Sequence, residues 1–173
     1  MIDSRFVLIG HPGCGKSYFA ERFSAFWGMS WVDTDRLVES GYFHETGQRY
    51  SHREIFQIVG EDAFRKREQQ AIAHIPLSIS VIATGGGTVL QESAVNLLKK
   101  RGQIIFLALG REAWKERIFR LGLPVSLSNL RSLDAIYEER LRAYERVADT
   151  TLFLEGQSEQ SVLQILFELG GHA

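Results

Sequence analysis

The stretch Gly10-His11-Pro12-Gly13-Cys14-Gly15-Lys16-Ser17 constrains this chain more than any other. Its glycines, followed by Lys and Ser, have the spacing of a loop that wraps a chain of phosphates. The apolar run Phe6-Val7-Leu8-Ile9 precedes it, and Tyr18-Phe19-Ala20-Glu21-Arg22-Phe23 follows at helical spacing, so the loop lies between a strand and a helix. Such a loop must aim several backbone N–H groups at one centre, which needs glycine wherever a Cβ would clash or φ is positive. The start of the next helix adds unpaired N–H groups and the positive end of its dipole. The expected ligand is a nucleoside triphosphate, ATP, cradled by Gly13, Cys14, Gly15, Lys16, Ser17 and Tyr18. Lys16 supplies a mobile cation to the outer phosphates, and the Ser17 hydroxyl can complete the coordination of Mg²⁺.

The remainder of the chain alternates short apolar strands with helix-length segments. Strands are expected at Phe6–Ile9, Ser30–Asp33, Ser80–Thr84, Ile104–Leu109 and Thr151–Leu154. This alternation predicts right-handed crossovers, a parallel sheet covered on both faces, and ligands at the carboxyl ends of the strands. At 173 residues the chain suits one α/β domain. A net charge of −1 gives no basic surface for nucleic acid, and no apolar run reaches bilayer length. A single cysteine, Cys14, forms no internal disulfide, so a reducing, cytoplasmic setting is expected and no redox role is assigned.

Polar residues concentrate where such a sheet binds ligands. Asp33 and Asp35 end the second strand one residue apart and can take different tasks. Asp33 can hold Mg²⁺ through water, and Asp35 can accept hydrogen bonds from a hydroxylated acceptor; Asp35 also suits the cap of the helix that follows. Ser51 and Glu54 have the spacing of a capping box. Arg65 and Glu68, three apart, can pair on one helix face. His44, His52 and His74 lack metal-ligand spacing and read as surface or packing residues. Gly85-Gly86-Gly87, after a strand rich in β-branched residues, would let the backbone approach a ligand closely. The segment Leu121 to Asn129 reads as a mobile connection. Helix Ser158 to Leu169 reads as packing.

Taken together, these blocks resemble shikimate kinase, within the nucleoside monophosphate kinase-like group of P-loop folds. The phosphate loop, Asp33-Thr34-Asp35, the Phe64-Arg65 to Glu68 segment, Gly85-Gly86-Gly87 and the Arg140 to Asp149 helix occur in the order and spacing of that family. The resemblance implies a three-layer α/β fold with a five-stranded parallel sheet, in one domain over residues 1–173. Substrate-binding helices would lie at about 34–60 and a lid at about 119–131. It implies transfer of the γ-phosphate of ATP to the 3-hydroxyl of shikimate by a monomeric enzyme. Asp35 would hold ring hydroxyls and act as, or orient the proton toward, the base. Arg65 and Arg140 would bind the carboxylate, Gly86 and Gly87 would contact the ring, Ser17 and Asp33 would serve Mg²⁺, and Arg117 would lie against adenine.

One block departs from the family pattern. Where the family has Arg followed by Pro-Leu-Leu in the lid, this chain has Leu123-Pro124-Val125-Ser126. Arg120, close by and long, is the expected source of the missing catalytic charge. Two other readings stand beside this one. A related kinase could act on a gluconate-like acceptor, and a nucleotide-binding module could have impaired catalysis.

Overall fold

The computed structural model describes residues 5–122 and 132–170. Five strands form one all-parallel sheet: β1 (Phe6–Ile9), β2 (Trp31–Asp33), β3 (Val81–Ala83), β4 (Gln103–Ala108) and β5 (Thr150–Phe153), in the order β2-β3-β1-β4-β5. The five expected strands are all present, with no end shifted by more than one residue. Eight α-helices occur among the described residues: α1 (Lys16–Trp27), α2 (Thr34–Thr46), α3 (His52–Val59), α4 (Glu61–Ala73), α5 (Glu92–Lys99), α6 (Arg111–Leu121), α7 (Leu133–Val147) and α8 (Glu159–Gly170). No helix among the described residues is long and apolar enough to cross a membrane.

Strand alternation sorts the core into two layers. Phe6, Leu8, Val81, Ala83, Ile105 and Leu107 pack with Phe23, Trp114, Val162 and Leu166. Their alternating neighbours Val7, Ile9, Ile82, Ile104 and Phe106 pack with Ile72, Leu98, Tyr144 and Val147. Side chains of opposite parity point to opposite faces, so helices cover both. A third, smaller cluster of Val38, Tyr42, Ile55 and Phe64 ties α2, α3 and α4 to one another.

The strand order decides where chemistry can occur. β2, β3 and β1 are neighbours, and their carboxyl ends carry Asp33, Gly85 and Gly10 respectively. Three stretches far apart in sequence therefore meet along one edge of the sheet, the position that open parallel sheets use for ligands.

Candidate active site

The phosphate loop leaves β1 at Gly10, whose φ of 148° and a Cβ that would lie 2.7 Å from the Leu107 carbonyl oxygen leave room for glycine only. Gly15, at φ 105°, turns the chain into α1 and provides no side-chain cap. The loop's carbonyls are all engaged by protein donors. Lys16 Nζ donates to Gly10 (2.9 Å) and His11 (3.0 Å), Trp114 Nε1 to Pro12 (3.0 Å), Arg117 Nη1 to Gly13 and Cys14 (3.2 Å each), and the Phe19 N–H to Gly15 (2.9 Å). The N–H groups of Gly13, Gly15, Lys16 and Ser17 take no partner among the described residues. Oxygens turned away and N–H groups left open at a helix start make an anion site.

His11 sits beneath the loop, fully buried. Its ring stacks on Tyr137 at 4.3 Å and 4°, and Nε2 donates to the Tyr137 carbonyl at 3.1 Å. That bond fixes the tautomer: Nδ1 is left bare and without a partner among the described residues. Burial pushes the imidazole down to about 4; Lys16 and Arg140 push the same way, and the bond to Tyr137 opposes them.

At the end of β2, Ser17 Oγ donates to the Asp33 carboxylate. Asp33 also caps α2, its Oδ1 accepting from the N–H groups of Asp35 (2.8 Å) and Arg36 (3.4 Å). The cap is therefore Asp33 and not Asp35, because only the side chain just before the helix reaches back to the first N–H groups. Asp35 is left to face the cleft. The paired oxygens of Ser17 and Asp33 are a hard-donor set that suits Mg²⁺. Among the described residues no group of three or more His, Cys, Asp or Glu gathers to hold a metal. A cation here would draw its other ligands from phosphate and water, the usual habit of Mg²⁺.

A cavity of about 320 Å³ joins the loop to α2, α3, α4 and α7. Lys16, Asp35, His52, Arg53, Arg65, Glu68, Gly86, Gly87 and Arg140 all border it. Burial pushes the Asp35 carboxyl up to about 6; Asp33 and Glu68 add to the rise, while His52 and Lys16 oppose it. His52, expected at the surface or in packing, instead stands in this wall with Nε2 3.8 Å from Asp35 Oδ2. Glu39 Oε1 holds it there, accepting from both its backbone N–H (2.8 Å) and Nδ1 (2.9 Å).

Next to Asp35, Arg65 donates to Glu68 (2.6 Å), and Glu68 also accepts from Thr88 (2.8 Å) and Gln91 (3.4 Å). The expected pairing of Arg65 with Glu68 thus exists, and it orients the guanidinium into the cavity rather than removing it. A Cβ on Gly87 would lie 2.5 Å from Arg65 Nη2. Arg140 is buried, which lowers its pKa; the nearby Arg65 cation adds to this, and Tyr144 offsets it. Tyr144 donates in turn to the Gly86 carbonyl at 2.5 Å. Two guanidiniums held this close in a buried place favour an anion between them.

The structure brings together the cradle, Asp33, Asp35, Arg65, Gly86, Gly87 and Arg140. Arg117 lies against the outside of the loop, and Tyr18, half exposed, reaches Glu159 at 2.5 Å. Arg120 is not brought in. It is one residue round the helix from Leu121, which does border the cavity; its side chain is 78% exposed beside Glu116. Leu123 to Ser126 lie outside the described residues. His11, His52, Arg53 and Tyr144 were missed as site residues. The sequence signal for them was position: two in the first turn of a capped helix, one inside the phosphate loop, and Tyr144 four residues after Arg140.

Comparison with known proteins agrees with this geometry. A family model for shikimate kinase matches residues 12–169. A shikimate kinase of Actinobacillus pleuropneumoniae is 32% identical over 166 residues, covering 94% of this chain and 92% of that protein. The crystal structure of shikimate kinase from Aquifex aeolicus superposes with a TM-score of 0.73 at 30% identity, covering 96% of each chain. Shikimate kinase from Acinetobacter baumannii in complex with shikimate has the same fold, with a TM-score of 0.79, 24% identity, and 96% and 92% coverage.

Proposed function

The chain belongs to the shikimate kinase family and is an ATP-dependent small-molecule kinase, and from that premise we propose how its own residues perform the transfer of the ATP γ-phosphate to the 3-hydroxyl of shikimate. The observation that carries the residue assignment is one cavity lined together by Lys16 of the phosphate loop, Asp35, and the Arg65 and Arg140 guanidiniums. A small polyhydroxy acid needs those groups: an anion clamp for its carboxylate and an acid residue for its hydroxyls.

The open N–H groups of Gly13, Gly15, Lys16 and Ser17 receive the phosphates, and Cys14 and Tyr18 are assigned to the same cradle. Lys16 exchanges the carbonyls of Gly10 and His11 for the β- and γ-oxygens. Ser17 and Asp33 would hold Mg²⁺, which when bound offsets phosphate charge. Arg65 and Arg140 fix the acceptor carboxylate, and Gly86 and Gly87 let the ring approach the backbone. That leaves the reacting hydroxyl beside Asp35, which accepts its hydrogen bond and takes or directs its proton. Arg117, against the loop, is assigned to the adenine side. Arg120 receives no part, since its side chain lies outside the cavity. A cytoplasmic setting fits the buried, unpaired Cys14.

The test is ADP release on adding shikimate, compared with gluconate, for the wild type and Lys16→Ala. The expected result is release with shikimate that Lys16→Ala abolishes. ATP binding without shikimate-dependent turnover would instead favour the nucleotide-binding module.

A further inference from the structure

Four cations border the cavity, and three already have a task. Lys16 sits on the loop carbonyls, Arg65 is held by Glu68, and Arg140 is buried against Tyr144. The fourth, Arg53, makes no ion pair and no hydrogen bond among the described residues, although it is half-buried in the cavity wall.

Its place in the helix is also locally unfavourable. Arg53 is the second residue of α3, where the helix dipole favours acids and disfavours cations. The remainder of that turn follows the rule, with the Ser51–Glu54 capping box complete. A residue that breaks local preference in an otherwise well-formed turn marks a functional position.

The neighbouring cations narrow which anion it meets. The acceptor carboxylate is already assigned two guanidiniums, Arg65 and Arg140, which leaves the transferring phosphate. Arg53 borders the same cavity as the phosphate loop and Asp35, beside which the reacting hydroxyl is placed. Among the described residues its guanidinium is the one cation of this cavity with no partner of its own, and so the one still available to the transferring group. In the sequence, no Lys or Arg stands between Arg120 and Arg131 to supply a cation from the connection that follows α6.

We propose that Arg53 is a catalytic residue, the guanidinium that stabilises the phosphoryl group in flight; this deepens the kinase reading and rests on it. As the bond from the γ-phosphorus to the β,γ-bridging oxygen breaks, its electron pair leaves with ADP. The new bond forms from the acceptor hydroxyl oxygen, whose proton leaves toward Asp35. Charge on the three non-bridging oxygens and the bridging oxygen peaks between these events, and a fixed guanidinium there acts mainly in the transition state.

The test compares the wild type with Arg53→Ala, Arg53→Lys, Arg120→Ala and Arg131→Ala, measuring kcat and both KM values with ATP and shikimate. Binding of ADP with aluminium fluoride, in the presence of shikimate, is measured alongside. Arg53→Ala is expected to lower kcat about 100-fold or more, as loss of one transition-state donor does, with both KM values nearly unchanged. It should weaken the aluminium fluoride complex by a similar factor and leave ADP alone unaffected. Arg53→Lys should recover part of the loss, and Arg120→Ala and Arg131→Ala should stay near wild type. A raised shikimate KM at unchanged kcat, or a large loss confined to Arg120→Ala or Arg131→Ala, overturns the assignment. If the wild type itself gives no shikimate-dependent ADP release, the kinase reading fails first.

Discussion

His11 makes the stability of this fold depend on pH in a way that can be isolated. Its ring is sealed between the phosphate loop and α7, with Nε2–H on the Tyr137 carbonyl and Nδ1 bare. Protonation would add a buried charge and an N–H with nothing to donate to, beside the Lys16 and Arg140 cations. The folded protein therefore resists protonation, with a pKa of about 4 against 6.5 for the free side chain. The contribution is fully present above 6.5 and is lost as pH falls from there toward 4, because the unfolded chain binds the proton first. Between about pH 7.5 and about pH 5 the linkage integrates to about 2 kcal/mol. With a urea slope near 2 kcal/mol/M that is a midpoint shift of about 1 M. Other groups titrate in this range, Asp35 among them with the opposite sign, so wild type alone is not diagnostic. The measurement is urea unfolding of wild type and His11→Phe at both pH values. Phe keeps the stack on Tyr137 and removes the titration, so wild type should lose about 2 kcal/mol more than the variant. His11→Gln serves the same purpose if the Phe variant folds poorly. Equal losses in both proteins, within about 0.5 kcal/mol, would refute the burial argument.

Gly86→Ala would bring a Cβ within 2.7 Å of the Pro12 side chain and 3.0 Å of its nitrogen, forcing the phosphate loop to move. The KM for ATP should rise about tenfold or more, the cost of roughly 1.4 kcal/mol of lost binding; an unchanged value would mean that the loop yields freely. Ser51→Ala removes the cap of α3 and should cost about 1 kcal/mol, lowering Tm by about 2–4 °C. A thermal melt unchanged by the substitution would show that the capping box contributes nothing.

Much of this was legible in the sequence because it is local. The phosphate loop, the capping box at Ser51 and Glu54, and each strand are written in stretches of a few residues. Asp35 and the three glycines were legible as acceptor-side residues from their place at strand ends, but the pairing of Arg65 with Arg140 came only from family resemblance, since they meet through strand order and helix packing rather than spacing. What stayed hidden was decided by non-local contacts. His52 looked like any surface histidine because Glu39, thirteen residues away, is what turns it into the cleft. His11 lay inside the best-read motif and was still passed over, since its partner Tyr137 is 126 residues distant. Arg120 stands apart from the cavity for a simpler reason: closeness in sequence to a cleft residue says nothing about direction, and one step along a helix turns a side chain by about 100°.

The six engaged carbonyls of the phosphate loop bear on more than the sign of what binds there. A peptide plane can flip only if its oxygen gives up a partner, and from Pro12 to Gly15 each flip would break a bond to Trp114, Arg117 or the Phe19 N–H, none of which is given up to the phosphates. The loop has no low-cost alternative shape to lose when ATP arrives, so the nucleotide meets a receptor already set rather than one it must select from an ensemble. That readiness is maintained largely from α6. Exchanges at Trp114 or Arg117 would therefore slow the arrival of productive nucleotide without touching a phosphate.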